Sequence, residues 1–409
     1  MTPDLRPVTD ADWDSWYSSL ERAFGGVRES DQERALYRDL TELDRSFGAW
    51  DEGAWVGTAG AFSFRLSVPG GAMVPAAGVT MVSVAATHRR QGVLTAMMRH
   101  QLDSVRELGE PLAVLTASEP AIYGRFGYGT ATYAMSVDVD SSRVAIAAPP
   151  GTEGVRLRFA DPEQAAEACE AVYLRRVGSR PGMPARSPGW GRQPLLDPPA
   201  DREGGSPLQC VLAERGGETV GYARFHNRPE WSDTGPRGVV VLRDAAAGDP
   251  GAYAALWRFL CGIDLTSSVR SRNLPVDDPL LHLVSDVRRC SVRVRDSLHL
   301  RPVELGAALR ARTYRAPVDV VLEVADAFCP WNTGRWRLSG DAKGASCERT
   351  RDAADLELSV RELGSAYLGG VSLSSLAGAG RVRELREGAL AEASAAFGSE
   401  VAPWLPHGF

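Results

Sequence analysis

The segment from Met81 to Thr95 constrains this chain more than any other. Met81-Val-Ser-Val-Ala-Ala-Thr-His-Arg-Arg-Gln-Gly-Val-Leu-Thr95 leaves an apolar, β-branched run at 79–84, crosses a polar turn at 87–92 and enters helical spacing over 93–108. A second apolar strand follows at 112–116. Two strands separated by one helix of this length predict a βαβ-like crossover, and hence an α/β sheet. Inside the turn, Arg89-x-x-Gly92 opens the helix. Unpaired amide N–H groups and the positive helix end converge there, and Gly92 lets a ligand come close, which suits a diphosphate. The turn lacks the Lys-Ser/Thr pair of a Walker loop and the Gly-x-Gly-x-x-Gly of a dinucleotide fingerprint.

The flanking sequence extends the pattern. Helical spacing covers 12–20 and 31–43, a short strand 46–51, and Asp51-Glu52-Gly53 turns that strand into 54–66 as a hairpin. Residues 66–87 carry no charge for 22 positions, but Pro69, Gly70, Gly71, Pro75 and Gly78 exclude a spanning helix and leave a loop feeding a buried strand. The Ser-, Ala-, Pro- and Gly-rich stretch at 140–154 reads as a boundary. Beyond it the pattern partly repeats: a hairpin over 211–214 and 219–225, a strand at 238–242 and a helix at 252–261. Val220-Gly221 of the second hairpin is the counterpart of Val56-Gly57 in the first. This is read as a duplicated fold whose second copy, with Arg243-Asp-Ala-Ala-Ala-Gly-Asp-Pro250 in place of Arg-x-x-Gly, does not bind a diphosphate. Between them, 179–207 is loaded with Pro, Gly and Arg and reads as an excursion or mobile loop.

From Val303 the texture changes again. Val318, Val320, Leu322 and Val324 alternate with other residues, as do Leu356, Leu358 and Val360, giving strands with one wet face. A helix is expected over 384–397, stopped by Gly398. The final stretch, 402–409, holds two prolines and two aromatics and is expected to be ordered. For 409 residues, at roughly 100–200 per domain, three domains are expected, at 1–150, 151–300 and 301–409.

Charge narrows the partners. The net charge of −6 disfavours a nucleic-acid backbone or an anionic membrane and tolerates a cationic substrate. Only Lys343 among the 46 basic residues is a lysine, a skew that lowers the weight of any single arginine. The six cysteines form no Cys-x-x-Cys pair, so no zinc site is expected. No basic segment followed by an apolar stretch opens the chain, and a cytoplasmic protein with reduced thiols is expected.

A second motif, Ser118-Glu-Pro-Ala-Ile-Tyr-Gly-Arg-Phe-Gly-Tyr128, completes the pattern. The strand, Arg89-Arg90-Gln91-Gly92 and Tyr123-x-Arg-Phe-Gly127, in this order, resemble the GNAT acetyltransferase superfamily. Ala86-Thr-His-Arg-Arg-Gln-Gly followed by Ala117-Ser-Glu and Ile122-Tyr-Gly-Arg-Phe-Gly-Tyr-Gly129 resembles, more specifically, the Eis family of aminoglycoside acetyltransferases. The resemblance covers the whole chain. It implies an α/β (α+β) fold: tandem GNAT-like mixed sheets flanked by helices, the first catalytic and the second degenerate, plus a C-terminal sterol-carrier-protein-like α/β domain, to which Tyr367-Leu-Gly-Gly370 also points.

The same resemblance implies acetyl-CoA as co-substrate and no metal. Val82, Ser83 and Val84 would present backbone groups to the pantetheine and thioester, and Arg90, Gln91, Gly92, Val93, Leu94 and Thr95 would cradle the pyrophosphate, with Ser118 and Glu119 as further contacts. Tyr123 matches the general acid, while the neighbouring Tyr128 is assigned to packing. The C-terminal carboxylate, here on Phe409, reaches the active site in that family, as base or as anchor for the substrate ammonium; His407 is its understudy, and His88 reads as a solvated loop histidine. Phe24, Met81 and Leu36, with Trp16 and Tyr37, are the expected acceptor-pocket walls. Gly408 stands where several relatives carry an acid, and Glu29, Asp31 and Glu33 either compensate or form a solvated helix start. The implied activity is direct acetyl transfer in a ternary complex to primary amines of an aminoglycoside-like, polyamine or lysine-type small molecule, by a homo-oligomer, a homohexamer on family precedent. The competing reading is an acetyl-CoA-sensing or lipid-binding carrier without turnover, with Trp331, Trp336 and Leu338 lining its cavity.

Overall fold

The computed structural model describes residues 4–409. The crossover read from the sequence lies at the centre of an eight-stranded sheet. Its N-terminal strands are β1 (Asp4–Pro7), β2 (Phe47–Asp51), β3 (Ala54–Ser67), β4 (Met73–Val84) and β5 (Leu112–Thr116), in that spatial order. Helices α1 (Trp13–Ala23) and α2 (Asp31–Leu40) follow β1, and α3 (Val93–Glu107) carries the chain from β4 to β5, which pair in parallel. The uncharged stretch is a tight turn at 68–72 that feeds β4.

The β4–β5 pairing is short. It runs from Ala76 opposite Leu112 to Gly78 opposite Val114, whereas β4 stays paired with β3 as far as Val84 opposite Gly57. Beyond Gly78 the two parallel strands diverge and leave one edge of β4 free. Gly78 permits the packing at the fork, since a Cβ there would lie 2.4 Å from the Phe64 ring and 3.3 Å from that of Phe409. Met81, at φ +54°, lies in a bulge of β4, where Met81 and Val82 together face Ala59 of β3, and the bulge kinks β4 away from β5.

A seven-stranded sheet forms the second layer: Arg293–Asp296, Tyr133–Asp140, Thr266–Pro275, Gly238–Ala247, Glu218–Arg228, Gln209–Arg215 and Arg156–Ala160. The two large sheets exchange strands. Tyr133–Asp140 belongs to the second, while Leu298–Pro302 lies in the first, between β5 and Gly129–Thr130. Neither sheet therefore ends at residue 150 or 300. A five-stranded sheet with Val318–Ala325 at its centre makes the C-terminal domain. The buried pair Arg301–Asp326, 2.5 Å apart, ties the first sheet to this domain.

Four local expectations change. The strand at 238 continues to Ala247, and the helix after it starts at Pro250, capped by the Asp249 side chain, so residues 243–250 form no open turn. The expected helix at 384–397 is divided: Val382–Glu384 is a strand and Ala389–Phe397 the helix, because Gly388, at φ +86°, breaks the backbone between them. Residues 179–207 are pinned, not mobile: Pro184–Ala185 pairs with β3, and Trp190 is buried against Phe62 and Phe64. Trp336 and Leu338 are packed as core side chains of the C-terminal domain, while the Trp331 indole donates to the Val303 carbonyl at 2.8 Å.

Candidate active site

The fork between β4 and β5 opens into a cavity of about 1320 Å³. Along one arm lie Val82, Ser83 and Val84 of the free β4 edge, then Gly92, Val93, Leu94 and Thr95 at the start of α3, with His88, Arg89 and Arg90 beside them. No side chain caps α3, so its first amides face the cavity. Gly92 has φ +85°, and a Cβ built there would meet nothing within 4 Å, so the loop leaves room directly over the helix end. Arg90, at φ +61°, turns the chain into it. Uncapped amides, three arginines (Arg89, Arg90 and Arg125) and an unpaired strand edge fit a pyrophosphate carrying a pantetheine arm.

Two expected contacts differ in detail. The Gln91 amide turns back to donate to the Thr87 carbonyl at 3.0 Å, and its side chain does not line the cavity. Ser83 presents backbone only, since its hydroxyl is buried against Thr58 Oγ1 at 2.7 Å. Ser118 and Glu119 line the wall beyond β5. His88 is held by Asp51 at 3.1 Å and Thr87 at 2.8 Å, at the rim.

Tyr123 ends the short helix Pro120–Tyr123 and faces the same cavity. Burial, then the Glu119 carboxylate, raises its pKa above the usual phenol value, so the hydroxyl keeps its proton. Tyr128, edge-on at 6.1 Å, is fully buried in the core, in its expected packing role.

Phe409 closes the cavity from the far side. Its ring packs edge-on against Phe64 at 4.9 Å, and its oxygen accepts from Thr116 Oγ1 at 3.5 Å. No ion pair engages its carboxylate among the described residues. The tail leading to it is fixed at several points. The Asn273 amide donates to the carbonyls of Leu405 at 3.0 Å and Pro406 at 2.9 Å, and Asn273 Oδ1 accepts from the Trp404 indole at 3.0 Å. His407 stacks on Trp190 at 5.7 Å and accepts at Nε2 from Arg186 at 3.3 Å. Burial and Arg186 push its pKa down to about 4, which makes it a neutral anchor placed on Trp190 and Arg186.

The other arm is acceptor-sized and mixed in character. Tyr17, Leu20, Phe24, Tyr37 and Met81 supply apolar wall, and Glu21, Glu29, Glu33 and Asp201 supply carboxylates. Phe24 is 60% exposed at its mouth. The Tyr17 hydroxyl donates to Glu29, whose carboxyl burial pushes above the usual range. Leu36 does not belong here: it is buried among Leu40, Phe62, Phe64 and Trp190, because adjacent helical positions point about 100° apart and Tyr37 takes the cavity side. Trp16 is likewise core, donating to the Phe47 carbonyl at 3.0 Å. Asp31 points outward and pairs with Arg28 at 3.1 Å. Tyr17, Thr116, Arg125 and Asp201 were not expected; Arg125 was inside the quoted motif, while Asp201 comes from the excursion, where no local pattern marks it. Among the described residues, no cluster of potential metal ligands forms and no helix is long and apolar enough to cross a membrane.

Comparison with known proteins agrees with this geometry. Residues 4–131 and 182–302 each match a family model for a GNAT acetyltransferase domain, and residues 305–406 match a sterol carrier protein domain. An uncharacterized N-acetyltransferase of Streptomyces avermitilis is 68% identical over the full length of both chains. The N-acetyltransferase Eis of Mycobacterium tuberculosis is 35% identical across 98% of each chain. The crystal structure of Eis1 from Mycobacterium abscessus superposes with a TM-score of 0.84 at 34% identity, covering 99% of this chain and 100% of that one. With the fork, the uncapped helix and the three-domain order all present, the chain belongs to the Eis family of GNAT N-acetyltransferases and uses acetyl-CoA as its acetyl donor.

Proposed function

We propose that the enzyme acetylates primary amines of small polyamine-like molecules, aminoglycosides or lysine-type compounds among them, by direct transfer in a ternary complex. Acetyl-CoA, when bound, supplies an activated thioester. The chain's own groups do the rest. Gly92, Val93, Leu94 and Thr95 offer amides to the diphosphate, and the free edge of β4 at Val82–Val84 orients the arm that follows. Tyr123 holds a proton for the departing sulfur, a role its burial supports by keeping the phenol loaded. The Phe409 carboxylate, with no cationic partner among the described residues, receives the acceptor's ammonium at the end of β5, directly or through water, as anchor or as the base that takes the proton the amine loses before it attacks. Glu29, Glu33 and Asp201 attract the acceptor's further positive charges, and Phe24, Met81 and Tyr37 hold its carbon skeleton.

The observation that carries this reading is the meeting of Tyr123 and Phe409, 286 positions apart in sequence, in the cavity opened by the β4–β5 fork. A panel of aminoglycosides, diamines and lysine peptides, incubated with acetyl-CoA while free thiol is followed, tests it. Acceptor-dependent thiol release supports the assignment, and lipid co-purification without turnover refutes it. A homo-oligomeric, hexameric assembly in the cytoplasm is part of the same proposal, checked by sedimentation and by cell fractionation.

A further inference from the structure

Cys169 and Cys210 come together outside the lining of the cavity. Cys169 lies on the helix Ala166–Val177 and Cys210 on the strand Gln209–Arg215, 41 positions later, with their sulfurs 3.9 Å apart. Both are buried, walled by Ala165, Val172, Leu212, Tyr222 and Ala246. Directly across the strand pair from Cys210 stands Arg224, whose guanidinium is held by Asp244 at 2.6 and 2.8 Å, and the Tyr222 hydroxyl also donates to Asp244.

The two thiols are not equivalent. Either thiol can donate to the other, and the Arg224 guanidinium, directly across the strand pair from Cys210, eases ionisation of that sulfur. The residues between the two cysteines include the whole 179–207 excursion. That span supplies Arg186, which pairs with Glu170 and reaches His407, Trp190, on which His407 stacks, and Asp201 in the cavity wall. A bond between the two sulfurs would close a loop around every element that seats the C-terminal tail from this side.

We propose that Cys169 and Cys210 form a redox modification site, a dithiol that a small peroxide converts to a disulfide stapling the two ends of the excursion. The Cys210 thiolate attacks one peroxide oxygen, the O–O bond breaks, and the departing hydroxide takes up the proton Cys210 gave up and leaves as water, with a sulfenic acid on Cys210. Cys169 sulfur then attacks Cys210 sulfur, the S–O bond breaks, and the two thiol hydrogens depart in a total of two waters as hydrogen peroxide is reduced. The sulfurs must close by roughly 2 Å to reach an S–S bond of about 2.05 Å, a movement available to side-chain rotation and a slide of the helix over the sheet. Arg156–Ala160, the strand next to Cys210, is the edge of its sheet and the natural place for peroxide to enter.

The test uses the full chain. After treatment with hydrogen peroxide it is unfolded in iodoacetamide and digested without reduction. The expected product is a peptide pair linked through Cys169 and Cys210, lighter by two hydrogens and released by dithiothreitol. The melting midpoint of the oxidised protein should rise by several degrees, and a trypsin nick at Arg192 or Arg202 should leave the fragments joined, in denaturant, until reduction. C169S and C210S should each lose the shift, and C169A and C210A serve where a serine unfolds the helix. Recovery of both cysteines alkylated after peroxide, a link to any other cysteine, or the same melting shift in the single variants overturns the proposal.

Discussion

The Thr116 hydroxyl and the Phe409 oxygen lie 3.5 Å apart although 293 positions separate them in the chain. Thr116 ends β5, at the open side of the fork, so the last strand residue before the cavity holds the tail. Deleting Phe409, or adding residues beyond it, should lower kcat by about 10²-fold or more in the thiol-release assay, the usual scale for a lost proton-transfer or charge-anchoring group. Acetyl-CoA affinity by calorimetry should hold. Thr116→Val should give a smaller loss, about tenfold, and full activity in the tail deletion would remove Phe409 from the reaction.

Tyr123→Phe removes only the hydroxyl, and kcat should fall by about 10²- to 10³-fold while acetyl-CoA binding is kept. Burial and Glu119 raise the phenol's pKa, so activity of the unaltered enzyme should persist to a higher pH than a free phenol would allow. Glu119→Gln removes the acid's carboxylate neighbour and should draw the basic limb of the kcat profile downward. A profile that does not move would exclude Tyr123 as the titrating group.

His407 makes stability depend on acid. Its folded pKa is pushed down to about 4 by burial and by Arg186, against about 6.5 when unfolded. Between these values the unfolded chain takes up a proton that the folded chain refuses. The contribution of neutral His407 is therefore complete above about pH 6.5 and is lost as pH falls through about 4, and it is worth about 3 kcal/mol. Melting followed from pH 7.5 to 4 should show this decline in the parent and a flatter one in His407→Gln. Parallel curves would show that the tail is held by its other contacts alone.

Gly92→Ala tests the cradle. A side chain at φ +85° is strained by about 1 kcal/mol, and its Cβ enters the space kept open over the α3 amides. The KM for acetyl-CoA should rise about tenfold with acceptor KM little changed. Equal affinity for the coenzyme in the two proteins would show that this turn is not its phosphate site.

Asp326→Ala should destabilise the protein by about 3–5 kcal/mol in denaturant unfolding, because it leaves Arg301 charged and sealed. Arg301 also donates to the Phe126 carbonyl beside the Tyr123 turn, so loss of kcat should accompany the loss of stability. Unchanged stability would mean that the remaining contacts between the two domains hold them without this pair.

What the sequence made legible was local. The strand, the Arg-x-x-Gly turn and the helix after it are specified by neighbours within fifteen residues, and so is the short helix ending at Tyr123. Leu36 and Tyr37 show the limit: both are apolar and adjacent, and only the packing of α2 on β3 decides which one faces the cavity. Asp201 enters the acceptor wall through tertiary folding of a segment with no periodicity. Alternation reveals strands but not which sheet they join, which is why Tyr133–Asp140 and Leu298–Pro302 were invisible as exchanges. Gly388 was readable in principle, since a glycine ahead of an Ala-rich helix is a plausible start; the apolar spacing on either side hid it.

Those crossed strands set an order of manufacture. As the chain leaves the ribosome, β5 must wait until residue 302 has been made before its second neighbour arrives, and Gly129–Thr130 has no sheet to join until then. A fragment cut at residue 150 carries one raw edge where Leu298–Pro302 belongs and an orphan strand made for the other sheet. The tandem halves are thus a single cooperative product, and the nascent first half is the stage at which a chaperone has most to shield.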